Sequence, residues 1–308
     1  MRRRTPALLA AALVAALAAA GCGGNDSSAK PVPRASASFP VTVGTVTLDS
    51  RPERIVSLSP TATEMLFAIG AGNQVTAVDS NSNYPAGAPR TELSGFTPNA
   101  EAVAAKNPDL VVISNDTNKV VDQLTRLKIP VYLAAAAQTL DDSYAQLASL
   151  GTLTGHPAEA ADAVRRMKDD IAKLTKDVPQ RTKRLTYYYE LDQTLYSVTS
   201  KTFIGSLFAV AGLDNIADAS DPNGSKGGYP QLSQEVLVRA NPDMIFLADV
   251  KCCQQSAETV GARPGWAGIT AVKTGQIVAL DDDIASRWGP RTVDLLRAIV
   301  DAVAKVPA

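Results

Sequence analysis

We predict an α/β fold of two lobes with mainly parallel sheets, bridged by one long rigid helix. Three observations support this fold: strands alternate with helices along the chain, a motif of the first half recurs in the second, and one amphipathic helix separates the halves. Alternating strands and helices favour a parallel sheet covered on both faces. We expect an N-terminal lobe over residues 40–156, the bridging helix over 157–178 and a C-terminal lobe over 179–308.

The first 21 residues have the pattern of a signal peptide. Three arginines precede a small and apolar run that extends from Ala7 to Gly21. This run is shorter than the roughly 20 apolar residues that a membrane-spanning helix needs, and it carries the basic flank and small-residue exit of an export signal. Cys22 follows it directly and resembles the cysteine of a bacterial lipobox, which implies a lipid on the Cys22 thiol. The alternative is an ordinary secretory signal with an incidental cysteine.

Residues 22–39 are rich in Gly, Asn, Ser and Pro, which predicts a flexible tether. We therefore expect an extracytoplasmic protein that contacts the cell membrane only through the lipid on Cys22. Without the three arginines of the signal peptide, 30 basic residues become 27 against 31 acidic ones, so the net charge is −4 with no basic cluster. Nucleic acid is then not an expected partner, because phosphate binding needs clustered Lys and Arg.

The first half alternates short apolar strands with helices. We predict strands over 54–59, 74–79, 110–114 and 131–133, and helices over 62–69, 99–106 and 120–127.

A motif of the first half recurs in the second half with the same internal spacing. Glu101 opens a short helix, Asn107-Pro108-Asp109 ends it, and an apolar strand follows. Glu235 and Asn241-Pro242-Asp243 repeat this order, again with Asn six positions after Glu. Shared order and spacing favour two related lobes over coincidence.

One amphipathic helix is predicted between the halves, over residues 157–177. At 1.5 Å per residue its 21 residues would span about 31 Å, which suits a strut between two bodies. His156, the only histidine of the chain, precedes this helix and is expected to be a solvated turn residue. The apolar stripe of the helix consists of Ala160, Ala161, Val164, Met167, Ile171 and Leu174.

Few residues of the chain suit catalysis, so we expect no enzyme, no cofactor and no metal site. Histidine is the commonest general base near neutral pH, and no nucleophile elbow, phosphate-binding loop or dinucleotide-binding turn occurs in the sequence. Two clusters keep a secreted hydrolase or redox enzyme open as an alternative. Asp281-Asp282-Asp283 would bind a hard cation or, as we prefer, form a strand exit that caps a helix. Cys252 and Cys253 would form a vicinal disulfide, for which we favour a structural role.

Polar and aromatic residues follow several predicted strands. Ligands of open α/β sheets lie beyond the carboxyl ends of the strands, so these residues are candidates for a cleft. Aromatic and amide groups suit a large ligand with both polar and apolar parts. The candidate ligand-binding residues are Ser59, Pro60, Thr61, Asn81, Asn83, Tyr84, Phe96, Asn115, Tyr188, Tyr229, Arg287 and Trp288.

The chain resembles the periplasmic binding proteins of the vitamin B12 and iron-siderophore import family. The resemblance covers residues 40–305 and rests on four segments in matching order: 52–64, 81–85 with Asn81-Ser82-Asn83-Tyr84-Pro85, 229–235 with Tyr229-Pro230-Gln231, and 287–291 with Arg287-Trp288-Gly289-Pro290-Arg291. It implies the class III fold, in which a single long helix joins two α/β lobes. It also implies that Glu101 and Glu235 dock on arginines of an ABC permease dimer; the alternative is that each acid only caps its helix.

For the ligand, the resemblance is closest to the cobalamin-binding members, so a corrinoid is the first expectation. Of four positions that carry aromatic rings in those members, this chain keeps rings only at Phe96 and Tyr229, with Asn81 and Ile284 at the others. A ferric siderophore is the nearest alternative, with Arg287, Arg291 or Lys201 as counter-charges, and heme is a third. A surface scaffold with a vestigial cleft is a further alternative, and we expect a monomer in each case.

Overall fold

The computed structural model describes residues 38–307. The predicted signal peptide, Cys22 and all of the tether before residue 38 lie outside the described residues. Within residues 38–307, none of the helices is both long enough and apolar enough to span a bilayer.

In residues 38–307, ten strands form one hairpin and two parallel sheets. The hairpin pairs β1 (Val41–Val43) with β2 (Val46–Leu48) in antiparallel orientation. The first sheet contains β3 (Ile55–Leu58), β4 (Val75–Val78), β5 (Leu110–Ile113) and β6 (Val131–Leu133) in the order β4-β3-β5-β6. The second contains β7 (Leu185–Glu190), β8 (Leu213–Asn215), β9 (Met244–Leu247) and β10 (Ile277–Ala279) in the order β10-β9-β7-β8.

The two sheets have the same topology. Counted from the first strand of each sheet, the spatial order is second, first, third, fourth in both, and every pair is parallel. This confirms the predicted pair of α/β halves with parallel sheets. The strands of the first half lie at the predicted positions, within two residues at each end.

Twelve α-helices of the described part of the chain cover and connect the sheets. They are α1 (Pro60–Ala68), α2 (Ala100–Ala104), α3 (Val120–Arg126), α4 (Leu140–Thr154), α5 (Pro157–Lys176), α6 (Phe203–Val210), α7 (Gln234–Ala240), α8 (Val250–Cys253), α9 (Ala257–Gly261), α10 (Thr270–Lys273), α11 (Asp282–Ala285) and α12 (Thr292–Lys305).

The Asn-Pro-Asp motif builds the same turn into a strand in both halves. Asn107 and Asn241 adopt left-handed backbone angles, with φ of 51° and 46°, which asparagine tolerates better than most residues. The Asp109 carboxylate then accepts the backbone N–H of Arg54 at 3.0 Å, and the Asp243 carboxylate accepts that of Thr186 at 2.8 Å. In each half the aspartate therefore fixes the third strand beside the start of the first strand.

The long helix α5 has the predicted position, and its buried stripe differs from the predicted one at three residues. Ala161 is exposed and Val164 only half-buried, whereas Ala163 is buried. The reason is that α5 packs against α4 on one side and α12 on the other, which widens the buried face toward Ala163. One buried apolar cluster continues from the first half through α5 into the second half.

His156 differs from its prediction as a solvated residue. Its imidazole side chain is only 16% exposed, and its Nε2 accepts a hydrogen bond from the Arg51 guanidinium at 2.7 Å. Burial and the neighbouring positive charge of Arg51 lower the pKa of His156, against a smaller opposing effect of Glu159. The ring is therefore neutral near pH 7 and serves as a structural acceptor at the start of α5.

Candidate functional site

A polar cavity of about 590 Å³ opens at the carboxyl ends of β3, β4 and β5. In a sheet with this strand order the crevice beyond β3 and β5 is the expected ligand position, because the connections diverge there. Nine lining residues come from the first half and four from the second. They are Ser59, Pro60, Thr61, Ser80, Asn81, Asn83, Arg90, Phe96 and Ser114, and then Asp283, Ser286, Arg287 and Trp288.

The first wall of the cavity is set by the turn from β3 into α1. Ser59 follows the buried strand, and its hydroxyl caps α1 by accepting the backbone N–H of Ala62 at 3.3 Å. Pro60 occupies the first helical turn, where a missing N–H costs nothing. The N-terminus of α1 therefore faces the cavity with a partial positive charge.

A buried network holds the second wall, the loop after β4. The Thr63 hydroxyl lies 2.9 Å from both the Ser57 and Ser82 hydroxyls, and Ser82 donates to the Asp79 carboxylate. Burial raises the pKa of Asp79, against the lowering effect of its hydrogen bonds to Ser82. This network fixes the loop that carries Asn81 into the cavity wall.

The segment from α11 to α12 brings the second half against the first. Arg287 is 8% exposed, and its guanidinium binds the buried carboxylate of Glu64 at 2.7 Å and Asp283 at 2.9 Å. Arg291 binds Glu64 as well, with 2.9 Å from its Nε to a carboxylate oxygen. The Trp288 indole N–H donates to Gln146 on α4 at 2.9 Å. We call Glu64, Arg287 and Arg291 the interlobe clasp.

The clasp corrects one expectation about counter-charges. Arg287 and Arg291 were candidates to neutralise an anionic siderophore, but both guanidinium groups are already paired with Glu64. Lys201, the third candidate, donates to the carbonyl of Pro222 at 2.9 Å and does not line the cavity.

The corresponding crevice of the second half is filled with side chains. Glu190 at the end of β7 is fully buried and receives two hydrogen bonds from the Arg263 guanidinium, at 2.7 and 2.6 Å. Asp249, two residues beyond β9, is also fully buried, and neither of its oxygens has a hydrogen-bond donor among the described residues. Burial, and next the charge of Glu190, raise the pKa of Asp249 to about 7.

Tyr188 was predicted in the cleft, and this prediction is wrong. Its ring is fully buried and meets Trp266 edge to face, with 6.2 Å between the ring centroids. Tyr187 and Tyr189 are buried as well and pack on Phe208 from the opposite face of the sheet. The core therefore takes all three consecutive tyrosines, because both faces of β7 are covered.

Eight of the twelve predicted ligand-binding residues line the cavity, and three others besides Tyr188 are not among its lining residues. Tyr84 is 46% exposed and its ring stacks under Arg291, with 4.2 Å to the ring centroid, beside a separate groove. Asn115 donates to the Gly95 carbonyl at 3.3 Å and holds a loop. Tyr229 is 47% exposed in the second half and is not one of the lining residues.

Five lining residues were not predicted as ligand-binding residues from the sequence: Ser80, Arg90, Ser114, Asp283 and Ser286. Ser114 is the last residue of a predicted strand, so its position at a carboxyl end could have identified it. Arg90 carries no such signal, because it lies in an irregular segment far from any predicted strand end.

The acid cluster and the cysteine pair, on which the alternative of a secreted enzyme rested, both have structural contacts. Asp281 caps α11, and Asp282 accepts the backbone N–H groups of Val250, Lys251 and Cys252 at 2.9 to 3.1 Å. The Lys251 ammonium bridges Asp281 and Asp283 at 2.8 and 2.9 Å. This agrees with the preferred interpretation of the acids as a helix-capping strand exit.

Cys252 and Cys253 are joined as a disulfide within α8. The N–H groups at the start of this helix bind the Asp282 carboxylate, so the cysteine pair lies on a helix that is tied to α11, and neither cysteine lines the cavity.

Glu101 and Glu235 occupy equivalent exposed positions in the two halves. Each is the second residue of its helix, α2 or α7, and the helix is capped by the side chain of the residue before it, Asn99 or Ser233. Neither carboxylate has a hydrogen-bond or ion-pair partner among residues 38–307, and another side chain already caps each helix. Both acids are thus available to a partner.

Comparison with known proteins gives a consistent result. A family model described as periplasmic binding protein matches residues 55–284. An ABC transporter substrate-binding lipoprotein of Bacillus subtilis, YvrC, is 30% identical over 326 aligned positions, which cover 98% of both chains. A cobalamin-binding protein of Halobacterium salinarum is 35% identical over 279 positions, covering 86% of this chain and 74% of the relative.

A solved structure has the same arrangement of halves. It is described as a possible iron-binding, periplasmic solute-binding protein of Staphylococcus epidermidis, with a TM-score of 0.71 and 26% identity over 83% of this chain and all of the other.

Proposed function

The chain belongs to the periplasmic binding protein family, and from this premise we propose that it captures a corrinoid between its halves and delivers it to a permease. Members of this family are substrate-binding proteins of ABC importers and not enzymes. The open question is therefore which ligand the cavity takes and how the protein meets the importer.

The observation that carries the corrinoid proposal is the chemistry of the cavity wall. Hydroxyl and amide side chains dominate it, and the rings of Phe96 and Trp288 provide apolar surface. A corrinoid has an apolar ring plane bordered by amide groups, so both kinds of wall find a partner. The volume of about 590 Å³ lies within the roughly 300–1,000 Å³ of ligand sites. The 35% identity to a cobalamin-binding protein supports the same ligand.

Heme receives less support from the cavity wall. Its iron needs an axial His, Cys, Met or Tyr ligand, and the lining residues in the described part of the chain include none of these. A ferric siderophore is the second candidate, because Arg90 lines the cavity as a cation that has no carboxylate partner within residues 38–307 and would favour an anionic chelate.

Titration of the purified full chain in detergent tests the corrinoid proposal. We expect cyanocobalamin to bind with micromolar or tighter affinity in calorimetry and to raise the melting temperature. Hemin and a ferric hydroxamate serve as matched probes. Tight binding of the hydroxamate with no response to cyanocobalamin would contradict the corrinoid proposal and favour the siderophore.

We further propose that Glu101 and Glu235 dock on the permease. An importer with two-fold symmetry offers two equivalent surfaces, and this chain presents one exposed acid on each half at equivalent helix positions. Charge-assisted hydrogen bonds from permease arginines to the two carboxylates would stabilise the docked complex.

The docking proposal predicts a loss of uptake without a loss of ligand affinity. Glu101→Gln and Glu235→Gln should each reduce corrinoid uptake in cells, and the double variant should reduce it further. Glu258→Gln is the matched control, because Glu258 is also an exposed acid in the first turn of a helix, α9. Normal uptake in the double variant would refute the docking role.

We also propose that a lipid on Cys22 anchors the protein outside the cytoplasm as a monomer. The naming of the Bacillus subtilis relative as a lipoprotein supports the anchor. Cys22→Ala should release the protein from the membrane fraction. Retention of that variant in the membrane fraction would count against lipidation.

A further inference from the structure

Arg90 is held at the edge of the first sheet by its own backbone. The neighbouring Pro89 carbonyl accepts the N–H of Val78 at 3.0 Å, and the Thr91 N–H donates back to the Val78 carbonyl at 3.0 Å. The segment thus runs beside the end of β4 like a short additional strand. The Arg90 side chain starts from a fixed point at the rim of the cavity.

The charges of the cavity wall balance except at Arg90. Three lining residues are ionisable: Asp283, Arg287 and Arg90. Arg287 is neutralised by Glu64 and Asp283, and Asp283 also binds Lys251 at 2.9 Å. Arg90 has no carboxylate partner in the part of the chain that the structure describes. Its guanidinium donates one hydrogen bond to the Ser80 carbonyl at 3.0 Å, so most of its five N–H donors remain available.

A free guanidinium at a cavity wall selects for an anionic oxygen group. Its planar fork matches the two oxygens of a phosphate or carboxylate, which an ammonium does not. The N-terminus of α1 opens on the same cavity and adds a positive potential. The amide groups of a corrinoid are neutral and its cobalt(III)–corrin centre is cationic, so neither carries the negative charge that favours a guanidinium partner. The one anionic group of a complete cobalamin is the phosphodiester that links its nucleotide.

We infer that Arg90 forms a subsite for the phosphodiester of the ligand and thereby selects complete corrinoids over those that lack the nucleotide. This inference rests on the proposed corrinoid function. The chemistry it requires, an anionic oxygen pair beside Arg90, is shared with carboxylate-bearing ferric chelates, so the test includes one.

The test compares cyanocobalamin with dicyanocobinamide, which lacks the nucleotide and its phosphodiester. Calorimetry on the full chain in detergent measures both ligands against wild type, Arg90→Gln, Arg90→Lys and Arg126→Gln. We expect Arg90→Gln to weaken cyanocobalamin binding about tenfold or more, the usual effect of losing a charged hydrogen bond, and to change dicyanocobinamide binding by less than about twofold. Arg90→Lys should fall between, because it keeps the charge and loses the fork.

Arg126→Gln is the control for net charge. Arg126 is exposed on α3 in the same half and does not line the cavity, so its loss should leave both affinities unchanged. Added salt should weaken cyanocobalamin binding in wild type and have little effect in Arg90→Gln. Melting temperatures of all variants should match, since Arg90 is exposed.

Three results would overturn the inference. Equal weakening of both corrinoids in Arg90→Gln contradicts the phosphodiester subsite and leaves the corrinoid function standing. Binding of neither corrinoid by wild type contradicts the function and the subsite together. Ferric citrate, the carboxylate-bearing chelate of the test, is titrated against the same variants. If Arg90→Gln keeps its corrinoid affinity and loses ferric citrate binding, Arg90 binds an anionic chelate and not the phosphodiester.

Discussion

The carboxyl group of Asp249 sits in an environment that favours its protonated form. It is buried beside Glu190, whose own charge is compensated by Arg263. Ionised Asp249 would add a second negative charge without a hydrogen-bond donor to receive it. The pKa of about 7 reflects burial first and the Glu190 charge second.

Asp249 should make the protein less stable as pH rises. The folded state holds the proton up to about pH 7, whereas the unfolded chain releases it near the ordinary value of 3.8. The stabilisation is therefore complete at low pH and is lost as pH rises through 7. Asp249→Asn mimics the protonated form, so its advantage over wild type should grow between pH 4 and pH 8 to a few kcal/mol, at about 1.4 kcal/mol per pKa unit.

Urea unfolding at a series of pH values measures this difference. Asp301→Asn, a change at an exposed acid of α12, provides the control and should show little pH-dependent difference. A constant difference between wild type and Asp249→Asn across this range would contradict a buried protonated Asp249.

His156 should act in the opposite direction. Its pKa is lowered in the folded state, so the folded protein resists protonation and loses stability as pH falls below about 6.5. His156→Gln keeps an acceptor for Arg51 and cannot be protonated. We expect wild type and His156→Gln to unfold alike at pH 8 and wild type to lose more stability by pH 5, as measured by urea midpoints. Parallel midpoint curves would exclude this role.

The repeated Asn-Pro-Asp turns offer a matched pair of mutations on equivalent elements. Asp109 and Asp243 each accept backbone N–H groups at the start of the first strand of their sheet. Asp109→Ala and Asp243→Ala should each lower the free energy of unfolding by about 1–3 kcal/mol, because backbone donors lose a charged acceptor. Chemical denaturation measures both, with Asp301→Ala as the exposed control. A cost in only one half would show that the repeated turns are not energetically equivalent.

Local sequence predicted a strand well where a residue pattern that ends a helix is followed directly by an apolar run. β5 and β9 follow Asn-Pro-Asp, whose asparagine can turn the chain and whose aspartate can bond the neighbouring strand. The helix α4 was not predicted, in part because Gly151 interrupts it. The structure gives the reason for this glycine: a side-chain carbon there would lie 2.4 Å from the Cβ of Ala160, so only Gly lets α4 and α5 pack this closely.

The residues of the candidate site also fall into those that local sequence could predict and those that it could not. Ser59 and Thr61 were predictable because they directly follow a strand and open a helix. Arg90 and the clasp partner Glu64 were not, since their roles depend on contacts with distant segments. Tyr188 was misplaced because three consecutive tyrosines give no alternation from which to choose a face.

The interlobe clasp joins the two halves of the molecule in a fixed arrangement. Glu64 is 3% exposed and binds guanidinium groups from two positions of the other half. The buried apolar cluster that passes through α5 adds to this connection. The relative position of the halves is thus fixed by contacts that a hinge motion would have to break.

Removing the clasp carboxylate should destabilise the whole molecule. Glu64→Gln removes the buried carboxylate that both clasp arginines bind and leaves the buried Arg287 paired only with Asp283. Breaking a buried ion pair typically costs about 3–5 kcal/mol. We expect a lower urea midpoint, together with faster hydrogen exchange in both α1 and α12. Glu101→Gln, at an exposed acid, should leave both measurements unchanged. A Glu64→Gln protein as stable as wild type would contradict the clasp.

The filled crevice of the second half has a consequence for ligand orientation. In a receptor with two equal halves, a ligand and the same ligand turned end over end would meet identical walls, and both poses would be populated. Here the wall of the first half supplies nine residues and the second half only the segment before α12, so the inverted pose meets different groups. The difference between the crevices of the two halves therefore imposes a single orientation on the bound ligand.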